Sequence, residues 1–367
     1  MPSSTSSFER VIPAQPWRGI AVVAVMFVLI ATLAWEAYCR SLGYGPSLND
    51  TADLWAQVRK RVQPGSIVIV GDSRPWFDCD LDELQRGLGS RPLQLAQAGS
   101  CAFPVFDDLV KDENFHGTII CSVVPIMFFA PGGPLLEPSQ KAVKRYHNQT
   151  LAQAASHLLG IPLEEHFAFL KQGELDTAEL LRRLRIPDRP GALVPPIFPP
   201  YFGTIDRERR ARMIDKAGHP GELANRIAHI WLPLFTPPPP PTYVPRDKFL
   251  EQMKAAIEQR FRDLAADVKK FRARGGQVVF VRFPVSGELK KLEDKQTPRD
   301  GMWARLLKET SVPGIYFEDY PELASFTCPE WSHLSAEDSV EFSRRFVPHL
   351  RKALEVESNE KPVATRD

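Results

Sequence analysis

The sequence predicts an α/β fold, a three-layer doubly wound and mostly parallel sheet, and three observations lead to it. Short apolar runs recur at residues 67–70, 93–96, 118–124 and 277–284, each of the kind that forms a strand covered on both faces. Segments with apolar residues at three- and four-residue steps lie between them, and strand, helix, strand at this spacing builds parallel crossover units. The alternation stops after Pro134 and resumes only with a long amphipathic helix from about residue 246. A proline-rich helical insertion therefore interrupts the sheet.

In chain order, residues 1–16 are polar and read as a short disordered tail. Residues 19–35 form an uncharged apolar run, which as a helix spans roughly 25 Å and is just long enough to cross a bilayer. We place a transmembrane anchor at residues 17–38. Trp17 and Trp35 bracket the run, Arg10 and Arg18 precede it, and a mixed Glu36 and Arg40 follow, a bias that favours a cytoplasmic amino terminus. A cleaved secretory signal is the competing reading, against which stand the length of the run and the poor cleavage site at residues 32–34. Both readings export the rest of the chain; in a bacterial cell this describes a single-pass inner-membrane protein whose main domain is periplasmic or extracellular.

A connector covers residues 41–64 and contains an amphipathic stretch, 52–62. The first strand, 67–70, is followed by a helix from Asp80 that ends at Gly89. Next come the strand at 93–96, a turn at 97–101, a helix around 104–111 and a strand at 118–124 that ends at Pro125. The insertion, 135–245, holds helical patches at 152–159 and 177–184, an arginine-rich run at 206–212 and five consecutive prolines at 237–241 expected to be polyproline-like. The arginine run alternates with acids and reads as a solvated helix face, with binding of an anionic partner as the alternative.

The long helix carries Phe249, Leu250, Met253, Ile257, Phe261, Leu264, Val268 and Phe271 on one side and ends at Gly275 and Gly276. A strand at 277–284 closes what should be a right-handed crossover. A helix near 302–309 and a strand at 314–318 follow. The last helix opens at Ser335 in near capping-box form, with Val340, Phe342, Phe346, Val347 and Leu350 on its apolar side. The α/β domain thus comprises 65–134 and 246–353, and 354–367 reads as a disordered tail.

Composition excludes several functions. The 46 basic and 45 acidic residues nearly cancel, and no basic stretch is long enough to track a phosphate backbone, so no nucleic-acid partner is expected. The five cysteines, Cys39, Cys79, Cys101, Cys121 and Cys328, are too scattered for a disulfide framework or a zinc site. They read as small buried apolar side chains, a bridge among Cys79, Cys101 and Cys328 being the alternative in an oxidising compartment. No phosphate loop, dinucleotide fingerprint or His-Glu-x-x-His pattern occurs, so no cofactor and no metal are expected. His116, His147 and His166 read as surface residues.

Two loops carry the chemistry. The first strand runs into Gly71-Asp72-Ser73, delivering a hydroxyl to the carboxyl end of a sheet, where α/β proteins place their sites. Glu330-Trp331-Ser332-His333-Leu334 stands directly before the last helix. A serine hydroxyl needs a base to take its proton, a group to orient that base and donors for the developing oxyanion. In this order and spacing the two loops, with a glycine turn after the second strand, resemble the SGNH, or GDSL-type, hydrolase and acyltransferase superfamily, over residues 66–124 and 277–350.

The resemblance implies an SGNH/flavodoxin-like sheet, with Ser73 as nucleophile and His333 as base. The family's acid lies three residues before the histidine, here Glu330 in place of the usual aspartate; the alternative is that a backbone carbonyl orients His333. The family's oxyanion hole would use the backbone N–H of Ser73 and of Gly99 and an asparagine after the third strand. This chain has no asparagine there, reading Pro125-Ile-Met-Phe-Phe instead. Arg74 is the substitute donor or substrate ligand we single out, ahead of Arg282.

An anchor, an exported SGNH-like domain and the missing asparagine together resemble membrane-anchored polysaccharide acetylation factors. The expectation is a serine esterase or O-acyltransferase acting on acyl esters of a cell-surface glycan, with the lipid bilayer and the glycan as partners. The alternative is an inactive SGNH-like accessory that binds glycan or a multi-pass membrane O-acyltransferase.

Overall fold

The structure is a computed structural model of the chain and describes residues 15–171, 198–237 and 244–359, with 173, 175 and 181 singly. Seven strands occur in it: β1 (Ile67–Val70), β2 (Leu93–Gln94), β3 (Thr118–Ser122), β4 (Gly203–Ile205), β5 (Ala211–Met213), β6 (Gln277–Arg282) and β7 (Gly314–Tyr316). Five form one sheet in the order β2-β1-β3-β6-β7, and every adjoining pair is parallel. The β1 and β3 side chains are buried along their whole length, which requires helices on both faces. After β1 the chain crosses toward β2, and after β3 toward β6, so the crevice between the carboxyl ends of β1 and β3 is a topological switch point.

Alternation along β6 sorts the two faces. Phe280 meets Phe128, whose neighbour Phe129 stacks on Phe261 of the long Arg246–Ala273 helix at 4.3 Å. Phe283 meets Phe342 and Phe346 of the Ala336–Asn359 helix instead. The long helix also packs on the Phe103–Lys111 and Ala304–Thr310 helices, and the last helix on the Ser73–Asp78 and Leu81–Leu88 helices. The result is an α/β three-layer sandwich with one continuous apolar core. A smaller cluster built on Leu54, Trp76, Phe77, Ile205 and Ile227 joins it to the insertion.

Several expectations change. The arginine run at 206–212 is not a helix but the turn and second strand of an antiparallel hairpin, β4–β5. Arg209, at φ 59°, is fully buried and pairs with Asp50 through Nε–Oδ1 at 2.7 Å, and it donates to the Gln94 carbonyl at 3.1 Å. Arg210 and Arg212 pair with Asp82 and Asp80. These carboxylates fix the segment against the sheet, a tertiary effect that local charge alternation does not reveal. The connector belongs to the domain as well: Trp55 is buried with its indole N–H on the Leu95 carbonyl at 3.0 Å. The last helix continues to Asn359, past the expected start of a tail, because Glu357 is buried against Arg272. All five cysteines are buried and unpaired, as small apolar side chains would be, and the alternative bridge among Cys79, Cys101 and Cys328 does not form. The patch at 177–184 and the prolines at 237–241 lie, apart from Leu181 and Pro237, outside the described residues.

Near the amino end, the Trp17–Ser41 helix is long and apolar enough to cross a membrane. It extends past residue 38, and its last turns join the domain. Glu36 accepts the backbone N–H groups of Ala168 at 3.0 Å and Phe169 at 3.1 Å, while Arg40 bonds Glu36 at 2.6 Å and the His166 carbonyl at 3.0 Å.

Phe271 is fully buried and stacks on Phe115 at 5.4 Å. Phe271→Ala should lower the unfolding free energy by about 3–5 kcal/mol, read from urea denaturation of the full chain in detergent.

Candidate active site

The first half of the site is the turn that leaves β1. A Cβ on Gly71 would lie 2.6 Å from Ser122 Cβ and 2.7 Å from Pro75 Cγ, so only glycine lets β1 turn this close to β3. Asp72 caps the Ser73–Asp78 helix. Its Oδ1 accepts the Arg74 N–H at 2.9 Å and its Oδ2 accepts the Ser122 hydroxyl at 3.0 Å, tying the ends of β1 and β3 together. Ser73 begins the helix at this crevice, with its side chain half-buried.

The second half is the loop before the last helix. Ser286 braces it, with its hydroxyl accepting the Cys328 N–H at 2.9 Å and its own N–H donating to the Trp331 carbonyl at 2.8 Å. Trp331 adopts φ 76°, a left-handed conformation unfavourable for a bulky residue, and its indole packs on Gly287, where a Cβ would come within 2.4 Å. Asp78 Oδ1 accepts the Leu334 N–H at 2.8 Å, tying this loop to the Ser73 helix.

The two loops, 260 residues apart in sequence, meet at His333. His333 Nε2 lies 2.8 Å from Ser73 Oγ, and Nδ1 lies 2.8 Å from Glu330 Oε1. Glu330 Oε1 also accepts the His333 backbone N–H at 2.6 Å, and Oε2 accepts the indole N–H of Trp231. Glu330 and His333 are fully buried. A carboxylate acceptor at Nδ1 leaves Nε2 as the lone-pair nitrogen facing the hydroxyl. Such an array can take the Ser73 proton and stabilise the imidazolium that results.

Three aromatic rings enclose the imidazole: Phe77 at 4.7 Å, Trp231 edge-on at 5.6 Å and Phe202 at 5.8 Å. Phe202 and Trp231 come from the insertion and were not among the residues the sequence singled out. Trp231 lies on the Glu222–Leu234 helix, where in sequence it looks like one more apolar residue facing a core. Only its indole N–H, aimed at a buried carboxylate, distinguishes it.

Arg74 is placed otherwise than expected. Its side chain is fully buried and both Glu293 oxygens hold its guanidinium. Arg282 binds the same carboxylate at 2.7 Å and the Val123 carbonyl at 2.9 Å. Successive helix residues diverge by about 100°, so the residue after an outward-facing serine turns inward. Neither arginine offers its charge at the Ser73 crevice. Burial would raise the Glu293 pKa, but the charges of Arg74 and Arg282 outweigh it and hold it below the usual carboxylate range. Burial likewise opposes charge on Arg74, and Glu293 overcomes it.

Gly99 occupies an exposed left-handed turn at φ 63° after β2. The segment is tied to the Ser73 turn by the Gln97 N–H on the Gly71 carbonyl at 2.9 Å. Among the described residues no hydrogen bond engages the N–H of Ser73 or Gly99. After β3 the Pro125–Phe128 helix supplies no side-chain donor. A separate surface cavity of about 690 Å³ is lined by Arg59, Lys60, Asp108 and His147 and shares no residue with this site. There Asp108 pairs with Arg59 and shares a hydrogen bond with His147.

Comparison of the chain with protein-family models, curated proteins and solved structures gives no match. Fold and site together define an α/β protein with a Ser-His-Glu array at the switch point of a parallel sheet.

Glu293→Gln leaves two buried arginines with no counter-charge and should destabilise the protein by about 3–5 kcal/mol, measured by denaturant unfolding. Asp78 is buried with Oδ2 unpartnered among the described residues, and burial raises its pKa well above the ordinary value. Such a group keeps its proton when folded and loses it when unfolded, so its penalty is absent below an unfolded pKa of about 3.9 and grows as pH rises toward the native value. Asp78→Asn, which mimics the protonated acid, should match the wild-type Tm near that acid limit and exceed it increasingly toward neutrality.

Proposed function

We propose that the protein is a membrane-anchored SGNH-type serine esterase or O-acyltransferase that acts on acyl esters of a cell-surface glycan. The observation that carries this reading is the continuous array from Ser73 Oγ through His333 to Glu330, two contacts of 2.8 Å each. Ser73 Oγ attacks the ester carbonyl while His333 Nε2 takes its proton, and Glu330 stabilises the imidazolium. The N–H groups of Ser73 and Gly99 receive the developing oxyanion. His333 then returns the proton to the departing alkoxide, leaving an acyl group on Ser73. Attack by water completes hydrolysis; attack by a sugar hydroxyl completes transfer. Phe202 and Trp231 wall the imidazole and limit water at that step.

Glutamate serves in the acid's place because its second oxygen is held by Trp231, which fixes a side chain one methylene longer than aspartate. The apolar Trp17–Ser41 helix supports anchorage. Arg10 and Arg18, ahead of the apolar run at 19–35, favour a cytoplasmic amino terminus in a bacterial inner membrane and a periplasmic domain.

The test uses the full chain in detergent with a fluorophosphonate probe and an aryl acetate. Labelling should occur at Ser73 and disappear, with turnover, in Ser73→Ala. Glu330→Gln should lower kcat by on the order of 10³–10⁴. Equal rates for wild type and Ser73→Ala would overturn the assignment.

A further inference from the structure

The Leu151–Glu164 helix has an exposed face that none of the described residues covers. Leu151, Leu158, Leu159 and Leu163 are 90%, 57%, 75% and 52% exposed, and their spacing puts them along one side. No charged residue occurs from 151 to 163, and burial of the His157 ring keeps its pKa below the ordinary imidazole value. A surface this apolar and free of charge marks a contact with something other than water.

The opposite side is fixed to the domain. Ile161 is buried, Glu164 Oε2 accepts the Asn49 N–H at 2.8 Å, and the Glu164 carbonyl accepts the Ser47 N–H at 3.2 Å. A capping box between Thr150 and Gln153 satisfies the first turn, so the helix presents its leucines as a settled element.

What covers these leucines follows from where the helix ends. Residues 166–169, which follow it directly, are the ones clamped to Glu36 and Arg40 at the end of the Trp17–Ser41 helix. Paired aromatics flank this junction, Trp35 with Tyr38 and Phe167 with Phe169, each pair at 5.5 Å, and Trp and Tyr are the residue types that collect at the border of lipid and water. The carboxyl end of the leucine-bearing helix therefore lies beside the carboxyl end of the apolar span. At 14 residues the helix is too short to cross a bilayer, so its leucines can meet lipid only by lying along the surface.

We infer that the Leu151–Glu164 helix is a second membrane-contacting element, its leucines seated in the bilayer interface beside the anchor. The inference rests on reading residues 17–35 as a membrane span. It fixes the domain against the lipid surface at two points.

The experiment places a nitroxide at Leu159→Cys and, separately, at Val23→Cys in the full chain, in vesicles of phosphatidylethanolamine and phosphatidylglycerol. The five native cysteines are buried, so the introduced thiol takes the label. Collision with oxygen, which partitions into lipid, is compared with collision with a water-soluble nickel complex. Both labels are expected to lose access to nickel and remain open to oxygen. A Val23 label in lipid with a Leu159 label open to nickel would overturn this inference and leave the anchor standing. A Leu159 label closed to both reagents would overturn it in favour of a second copy or a protein partner on that face. A Val23 label open to nickel would remove the span, and this inference with it.

Discussion

The contact between the His333 imidazole and the Ser73 hydroxyl is the constraint that organises the surrounding structure. A buried histidine must have both ring nitrogens satisfied, and here the two partners come from opposite ends of the domain. Each loop is therefore braced on its own account. Asp72 and Ser122 hold the turn after β1, Ser286 holds the loop before the last helix, and Asp78 joins the two. The parallel order of the sheet brings them together, since the switch-point crevice between β1 and β3 is where the chain delivers Ser73.

Beneath this contact the domain buries a cluster of charged side chains. Arg74, Arg282 and Glu293 form a closed cluster, with Asp72 adding negative charge close to Arg74. Removing ions from water is unfavourable, and pairing offsets the penalty only when the geometry is good. Bidentate binding of Glu293 to Arg74 and the carbonyl of Val123 on Arg282 supply that geometry. The cluster links β6, the Gly287–Gln296 helix and the first turn after Ser73, so it sets the base on which the serine stands.

The sheet was legible because its strands are short apolar runs flanked by glycine and proline, and the long helix because its apolar positions repeat cleanly. Ser73 was legible because it falls at a strand-to-helix turn, and Glu330 and His333 because they stand directly before a capped last helix; the fold brings the three within hydrogen-bonding distance. Arg74 was misplaced because sequence adjacency to Ser73 does not say which way the next side chain turns. The hairpin at 203–213 was hidden because its arginines are fixed by Asp50, Asp80 and Asp82, far off in sequence. Trp231 and Phe202 were missed for the same reason. Their relation to His333 exists only once the insertion folds back over the crevice.

The junction at Glu36 bears on how the domain can move. A span tied to its domain by a slack linker acts as a leash, and the tethered body tumbles and samples a wide shell above the surface. Here the Trp17–Ser41 helix is continuous with its attachment, and Glu36 and Arg40 are bonded to residues 166–169. On the proposed reading of this helix as a membrane span, its rotation turns the whole domain with it, like a key in its barrel. Under that reading the crevice at Ser73 would be presented at one height and one heading, and whatever it meets would have to be brought to that level.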